Sequence, residues 1–214
     1  MKADRRLGWL VAGVVGLGVL AWLARGIMME VPATPTRATP VATSPDSFEL
    51  TSPAVQDGGE LPPEFTGDGA GATLSLAWSN TPAGTKSLAL IMHHVAPDKT
   101  KWYWILYNIP PETTRLPKNV QGVGIVGTNS TNHKTEYLPP HSKGPGPKTY
   151  LYTLYALSAP LDLQVQPDQV GRDTLLAAME GRILAQAQLR VVYTRFSATT
   201  ARGDAPPPFV KPEP

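Results

Sequence analysis

Between Leu7 and Ala24 no residue carries a charge, while both flanks do. Coiled as a helix, that stretch spans roughly 27 Å, close to the hydrocarbon core of a bilayer. Trp9 and Trp22 stand near its ends, where amphipathic rings favour the membrane interface. Gly8, Gly13, Gly16 and Gly18 suit a membrane helix better than a buried soluble one. Lys2, Arg5 and Arg6 outweigh Arg25, which predicts a cytoplasmic N-terminus and an extracytoplasmic (periplasmic) remainder. The competing reading is a cleaved signal peptide, whose apolar region is shorter and ends at a small-x-small site. Leu23-Ala24-Arg25-Gly26 fits such a site poorly, so residues 1–29 are expected to form an uncleaved single-pass anchor in the cell membrane. Residues 30–46, rich in Pro and Thr, read as an extended linker. Residues 198–214 read as a disordered Pro-rich tail, and Arg202-Gly203-Asp204 within it is too short a match to carry meaning.

Residues 47–197 carry the pattern of a folded domain. Lys86 to Met92 is a nearly continuous apolar run. Trp102 to Ile109 is apolar on both alternating faces, the mark of a strand covered on both sides, and Pro110-Pro111 ends it because proline cannot donate to a ladder. Thr149 to Leu157 repeats the two-sided pattern with Tyr150, Tyr152 and Tyr155. Asp173 is placed to cap a helix carrying Leu175, Leu176, Met179, Ile183 and Leu184 at spacings of three to four. A last strand is expected over Gln188–Arg195. Many strands, turn-rich connections and one helix predict a mainly β domain, an antiparallel β-sandwich with a peripheral C-terminal helix.

Composition narrows the function classes. Of 214 residues, 42% are hydrophobic and 17% charged, enough for a core and too little charge for a disordered chain. A net charge of +2 gives no strong basic patch, so nucleic acid is not expected as a partner. There is no cysteine, which removes disulfides, thiolate metal sites, cysteine nucleophiles and lipid attachment through a cysteine. Gly122-Val123-Gly124-Ile125-Val126-Gly127 has the spacing of a dinucleotide-binding loop but leads into polar Thr128-Asn129-Ser130, where that motif needs a helix. No G-x-S-x-G elbow precedes a helix. No cofactor, resident metal or catalytic group is expected, and the chain is not read as an enzyme.

Several stretches, in order and at similar spacings, resemble the phosphatidylethanolamine-binding protein family, in particular its bacterial Raf-kinase-inhibitor-like branch. Phe65-Thr66-Gly67-Asp68-Gly69 with Leu76-Ala77-Trp78 is similar to the family's entry segment. Pro82 to Ile91, Trp104 to Pro110 and Tyr150 to Leu157 are similar to three of its strands, and Ala178 to Ala185 to its final helix. The resemblance implies a large antiparallel β-sandwich with a small pocket at one end that takes phosphate-like groups of lipids or nucleotides. It also implies that some members inhibit kinases or proteases.

At the implied pocket this sequence departs from the family. Where the family has D-P-D-A-P, this chain has His93-His94-Val95-Ala96-Pro97, so two acidic positions become imidazoles. The histidine before the strand tryptophan becomes Tyr103, and the family's His-Arg becomes Lys148-Thr149 in a loop carrying Tyr137, Pro140 and His141 before Tyr150. Imidazoles gain charge near pH 6.5, and a lysine is charged throughout, so the pocket is expected to lose negative charge and to hold an anion more tightly in acid. The ligand-binding residues expected on this basis are His93, His94, Pro97, Tyr103, Tyr137, Pro140, His141, Lys148 and Tyr150. Taken singly, Tyr103 and Tyr150 are better explained as core aromatics, and Pro139, Pro140, Pro145 and Pro147 as loop stiffeners. For His93 and His94, packing and pocket roles weigh equally.

The expected function is therefore a membrane-tethered binding module for a small anionic or phospholipid-headgroup ligand. A protein-interaction or inhibitor role is the alternative, with a protein partner at the envelope. A metal site built from His93, His94, His133, His141 and Asp68 is a weaker third reading, because strand neighbours point to opposite faces.

Overall fold

The computed structural model describes residues 47–195, apart from 97, 98, 142, 144 and 145. The anchor, the linker and the tail read from the sequence lie outside the described residues. Among the described residues no helix is long and apolar enough to cross a membrane.

Two sheets face each other. The smaller joins β1 (Glu49–Thr51), β3 (Leu76–Ser79) and β6 (Arg115–Leu116), with β3 in the middle. The larger runs β2 (Gly59–Glu60), β9 (Ile183–Thr194), β8 (Pro147–Leu157), β4 (Ser87–Val95), β5 (Thr100–Ile109) and β7 (Ile125–Val126). All its pairings are antiparallel except that of β2 with β9. Pro147 opens β8 opposite Thr194, a strand start being where proline is tolerated.

The central strands of the large sheet, β4, β5 and β8, are covered on both faces, which explains their two-sided apolar runs. One face meets the small sheet. Leu88, Leu90 and Met92 of β4, Tyr150, Tyr152 and Leu154 of β8, and Leu189 and Val191 of β9 pack there against Leu50, Leu76 and Trp78. The other face is covered by α1 (Arg172–Met179), where Leu175 and Met179 pack on Ala89, Ile91, Ile105, Tyr107 and Tyr155. The strand period of two sends even positions of β4 inward and odd positions outward. His93 follows Ala89 and Ile91 to the helix-covered side, and His94 follows Leu90 and Met92 toward the small sheet.

The helix is shorter than the periodicity predicts. It ends at Met179, and Gly181 turns the chain with φ of +70°, a conformation glycine adopts without strain. Ile183 and Leu184 belong to β9, both about 44% exposed. Their helical spacing from Met179 is coincidental: the ladder along β8, registered from Leu157–Ile183 to Pro147–Thr194, claims the segment instead. The same ladder overrides the helical resemblance of residues 180–185. Asp173 lies inside the first turn and Gly171 is the cap residue, so the expected aspartate cap is not made.

His93 generates a stability prediction. Burial, helped by Arg172 of α1 and by His94, lowers its pKa, and its Nδ1 has no hydrogen-bond partner among the described residues. The unfolded chain therefore binds a proton at about pH 6.5 that the folded chain refuses, and stability falls as pH drops below that value. Denaturant titrations should show His93→Leu losing less stability than the parent between about pH 7.5 and pH 5. Equal losses in the two proteins would refute the assignment.

Candidate functional site

The hairpin of β4 and β5 is closed by Ala96 N–H donating to the Lys99 carbonyl (3.0 Å). Beside it opens a cavity of about 390 Å³ lined by His94, Ala96, Lys101, Tyr103, Thr131, His141, Lys143 and Lys148. His94 and Lys101 are register partners across the hairpin, so the ladder sets imidazole and ammonium on one side of the sheet. Lys148 enters from β8, where it sits opposite Tyr193 of β9. Three lysines and two histidines thus meet around one hollow. Among the described residues that line it there is no carboxylate.

A bulge in β5 shapes the floor. Met92 pairs with Trp104 and His93 with Trp102, which leaves Tyr103 as the extra residue. The bulge lets two consecutive aromatics, Tyr103 and Trp104, both pack on the inner core, while Trp102 packs on the outer one. Trp102 is fixed there by its indole N–H donating to the Thr128 carbonyl (2.8 Å). Tyr150, fully buried, lies under the floor with its ring 5.3 Å from both His94 and Tyr103. Burial raises the Tyr103 pKa, and the Tyr150 hydroxyl offsets part of that rise. The His94 Nδ1 donates to the Thr149 carbonyl (2.8 Å). A carbonyl can only accept, so Nδ1 carries the hydrogen.

The far wall is a loop stitched to the edge of β5. Ser130 N–H donates to the Trp102 carbonyl and Leu138 N–H to the Tyr103 carbonyl, each at 2.9 Å. Gly67 N–H donates to the Pro140 carbonyl (2.8 Å), and a β-carbon on Gly67 would lie 2.5 Å from that of His141. Only glycine permits this approach, which delivers the His141 Nε2 to Asp68 Oδ1 at 3.0 Å. Asp68 also accepts from the Tyr193 hydroxyl, and Arg195 Nε stands 3.4 Å away. The Tyr193 hydroxyl, with Arg195 and His141 behind it, holds the Asp68 carboxyl below the usual carboxylate range, although partial burial works against them. Burial, reinforced by the Asp68 charge, pushes Tyr193 up to about 12.

Of the residues expected from the sequence, His94, Tyr103, His141 and Lys148 line the cavity. Tyr150 lies beneath it. Tyr137 does not line it but braces the core, its ring 5.4 Å from that of Trp104 and its pKa pushed up by burial. Pro140 is buried and holds Gly67 through its carbonyl. Pro97 lies outside the described residues. His93 does not join the site, because it leaves the sheet on the helix-covered face. Lys101, Thr131 and Lys143 were not singled out in the sequence. Lys101 was within reach: a short hairpin after His94 sets a residue opposite it, and alternation from Trp102 turns Lys101 inward. Among the described residues no three His, Asp or Glu side chains are grouped to hold a metal ion.

The sequence profile described as phosphatidylethanolamine-binding protein matches residues 51–194. A UPF0098 protein of Methanothermobacter thermautotrophicus is 34% identical over 153 residues, 69% of this chain and 99% of that one. A Mycobacterium tuberculosis protein named as a candidate lipoprotein, LppC, is 30% identical over 190 residues, 86% of this chain and 90% of its own. A crystal structure from Chlamydia trachomatis, named as a candidate phosphatidylethanolamine-binding protein homolog, superposes with a TM-score of 0.65 at 30% identity. The match covers 71% of this chain and 99% of that one.

The Asp68 cluster makes its own prediction. Its folded carboxyl sits below the unfolded value of about 3.9, so its contribution to stability is present above that value and is lost as pH falls through the folded one. Asp68→Asn removes both that acid-sensitive contribution and the negative charge facing Tyr193. Difference titration of tyrosinate absorbance should show one tyrosine ionising below the parent's value of about 12. An unchanged tyrosine titration would show that Asp68 does not control Tyr193.

Proposed function

The chain belongs to the phosphatidylethanolamine-binding protein family, and from that premise we propose a membrane-tethered, extracytoplasmic binding module whose cavity captures a small anionic group. The observation that carries this reading is the charge of the lining. Lys101, Lys143 and Lys148 converge with His94 and His141, and no carboxylate is among the described lining residues. Like charges held together raise the local potential, and an anion entering between them relieves the repulsion. Ammonium groups supply three donors each and no acceptor, a donor set suited to oxygen-rich anions. We read the site as one for binding: ion pairs among the described residues engage neither Lys101 nor Lys148, which leaves both ammoniums available to an anion.

The tether rests on the uncharged run from Leu7 to Ala24 and its basic N-terminal flank. The relative named as a candidate lipoprotein supports an envelope location by a different chemical route. This chain has no cysteine to carry a lipid, so the uncharged N-terminal run would serve in that place.

Calorimetric titration of the full chain in neutral detergent with sulfate and with inorganic phosphate tests the reading. Saturable binding is expected, weakened by added salt and weakened about tenfold or more by Lys148→Met, the loss of one charge-assisted contact. No saturable binding of either anion would sink the proposal.

A further inference from the structure

The three lysines say more than that the ligand is an anion. We propose that the cavity selects a phosphomonoester dianion over a zwitterionic phosphodiester such as a phosphoethanolamine headgroup. This rests on the anion-binding reading above and narrows it.

The argument is one of charge and oxygen count. Lys101 comes from β5, Lys148 from β8 and Lys143 from the loop between β7 and β8, so the cations approach from separate segments. A phosphomonoester offers three terminal oxygens and close to two negative charges at neutral pH, enough to engage more than one ammonium. A phosphodiester offers two such oxygens and one charge. When its alcohol carries an ammonium, that group needs a negative partner nearby. Among the described residues lining the cavity there is none. The neighbouring carboxylate, Asp68, is not among the lining residues and is already held by His141, Tyr193 and Arg195. The ring face of Tyr103 is the feature of the lining that attracts an ammonium. It stands beside Lys101, two residues away on the same strand, whose charge turns that spot repulsive.

The narrowing assigns specificity to Lys101, which pairs with His94 across the hairpin and lines the cavity with it. Removing it should reduce the preference between the two ligand types more than it reduces anion binding altogether.

The test compares soluble probes on the full chain in neutral detergent at about pH 8, where a phosphomonoester is a dianion. Glycerol 3-phosphate is expected to bind about tenfold or more tighter than glycerophosphoethanolamine, with dimethyl phosphate between them. Lys101→Met should narrow that ratio while sulfate still binds. Short-chain phosphatidic acid separates the two sources of the ligand: tighter binding than glycerol 3-phosphate identifies a lipid, equal binding a soluble metabolite. Equal or tighter binding of glycerophosphoethanolamine would overturn the selectivity and leave the anion site standing. Failure of every probe, sulfate included, would overturn both.

Discussion

Strand β8 is hydrogen-bonded along its length, to β9 from Pro147 to Leu157 on one side and to β4 from Leu157 back to Leu151 on the other. With both edges paired and both faces covered, β8 has no freedom to slip. A one-residue slip would turn Tyr150, Tyr152 and Leu154 out of the inner core and bring Leu151, Thr153 and Tyr155 in. The same register fixes the site, since Lys148 and Tyr150 share the inward phase with the core residues that follow them. The binding hollow is therefore the end of the inner core layer, where the apolar alternation runs out into lysine, histidine and tyrosine.

That continuity accounts for the division of labour between His93 and His94. The two are adjacent and chemically identical, yet one faces Arg172 under α1 and the other lines the cavity. Burial keeps His93 neutral and makes it a liability in acid. His94 is instead anchored by Nδ1 to the Thr149 carbonyl. Acid thus loosens the fold through His93.

The positive cluster is tolerated because it is only partly buried. Lys101, Lys148 and His94 are half-buried, while Lys143 and His141 are exposed, so water screens their repulsion. The nearby negative charge is sequestered. Gly67 lets His141 approach Asp68, and Tyr193 and Arg195 complete its coordination. One glycine contact thus shapes the cavity wall and keeps the carboxylate occupied.

The sequence by itself determined the sandwich, the long strands β4, β5, β8 and most of β9, and four of the residues around the hollow. The first three are buried on both faces over most of their length, which writes their identity into continuous apolar runs, and the resemblance to a known family set the order. It did not determine the end of the helix, because Ile183 and Leu184 keep a helical spacing that only the ladder with β8 overrules. Nor did it determine that Tyr137 and Pro140 are braces, that His93 faces away, or that Lys101 and Lys143 join the site. Those outcomes depend on pairing register, on the bulge at Tyr103 and on a loop folding back across β5. Each is a contact between distant segments, and local pattern carries no record of which residue the other segment will bring.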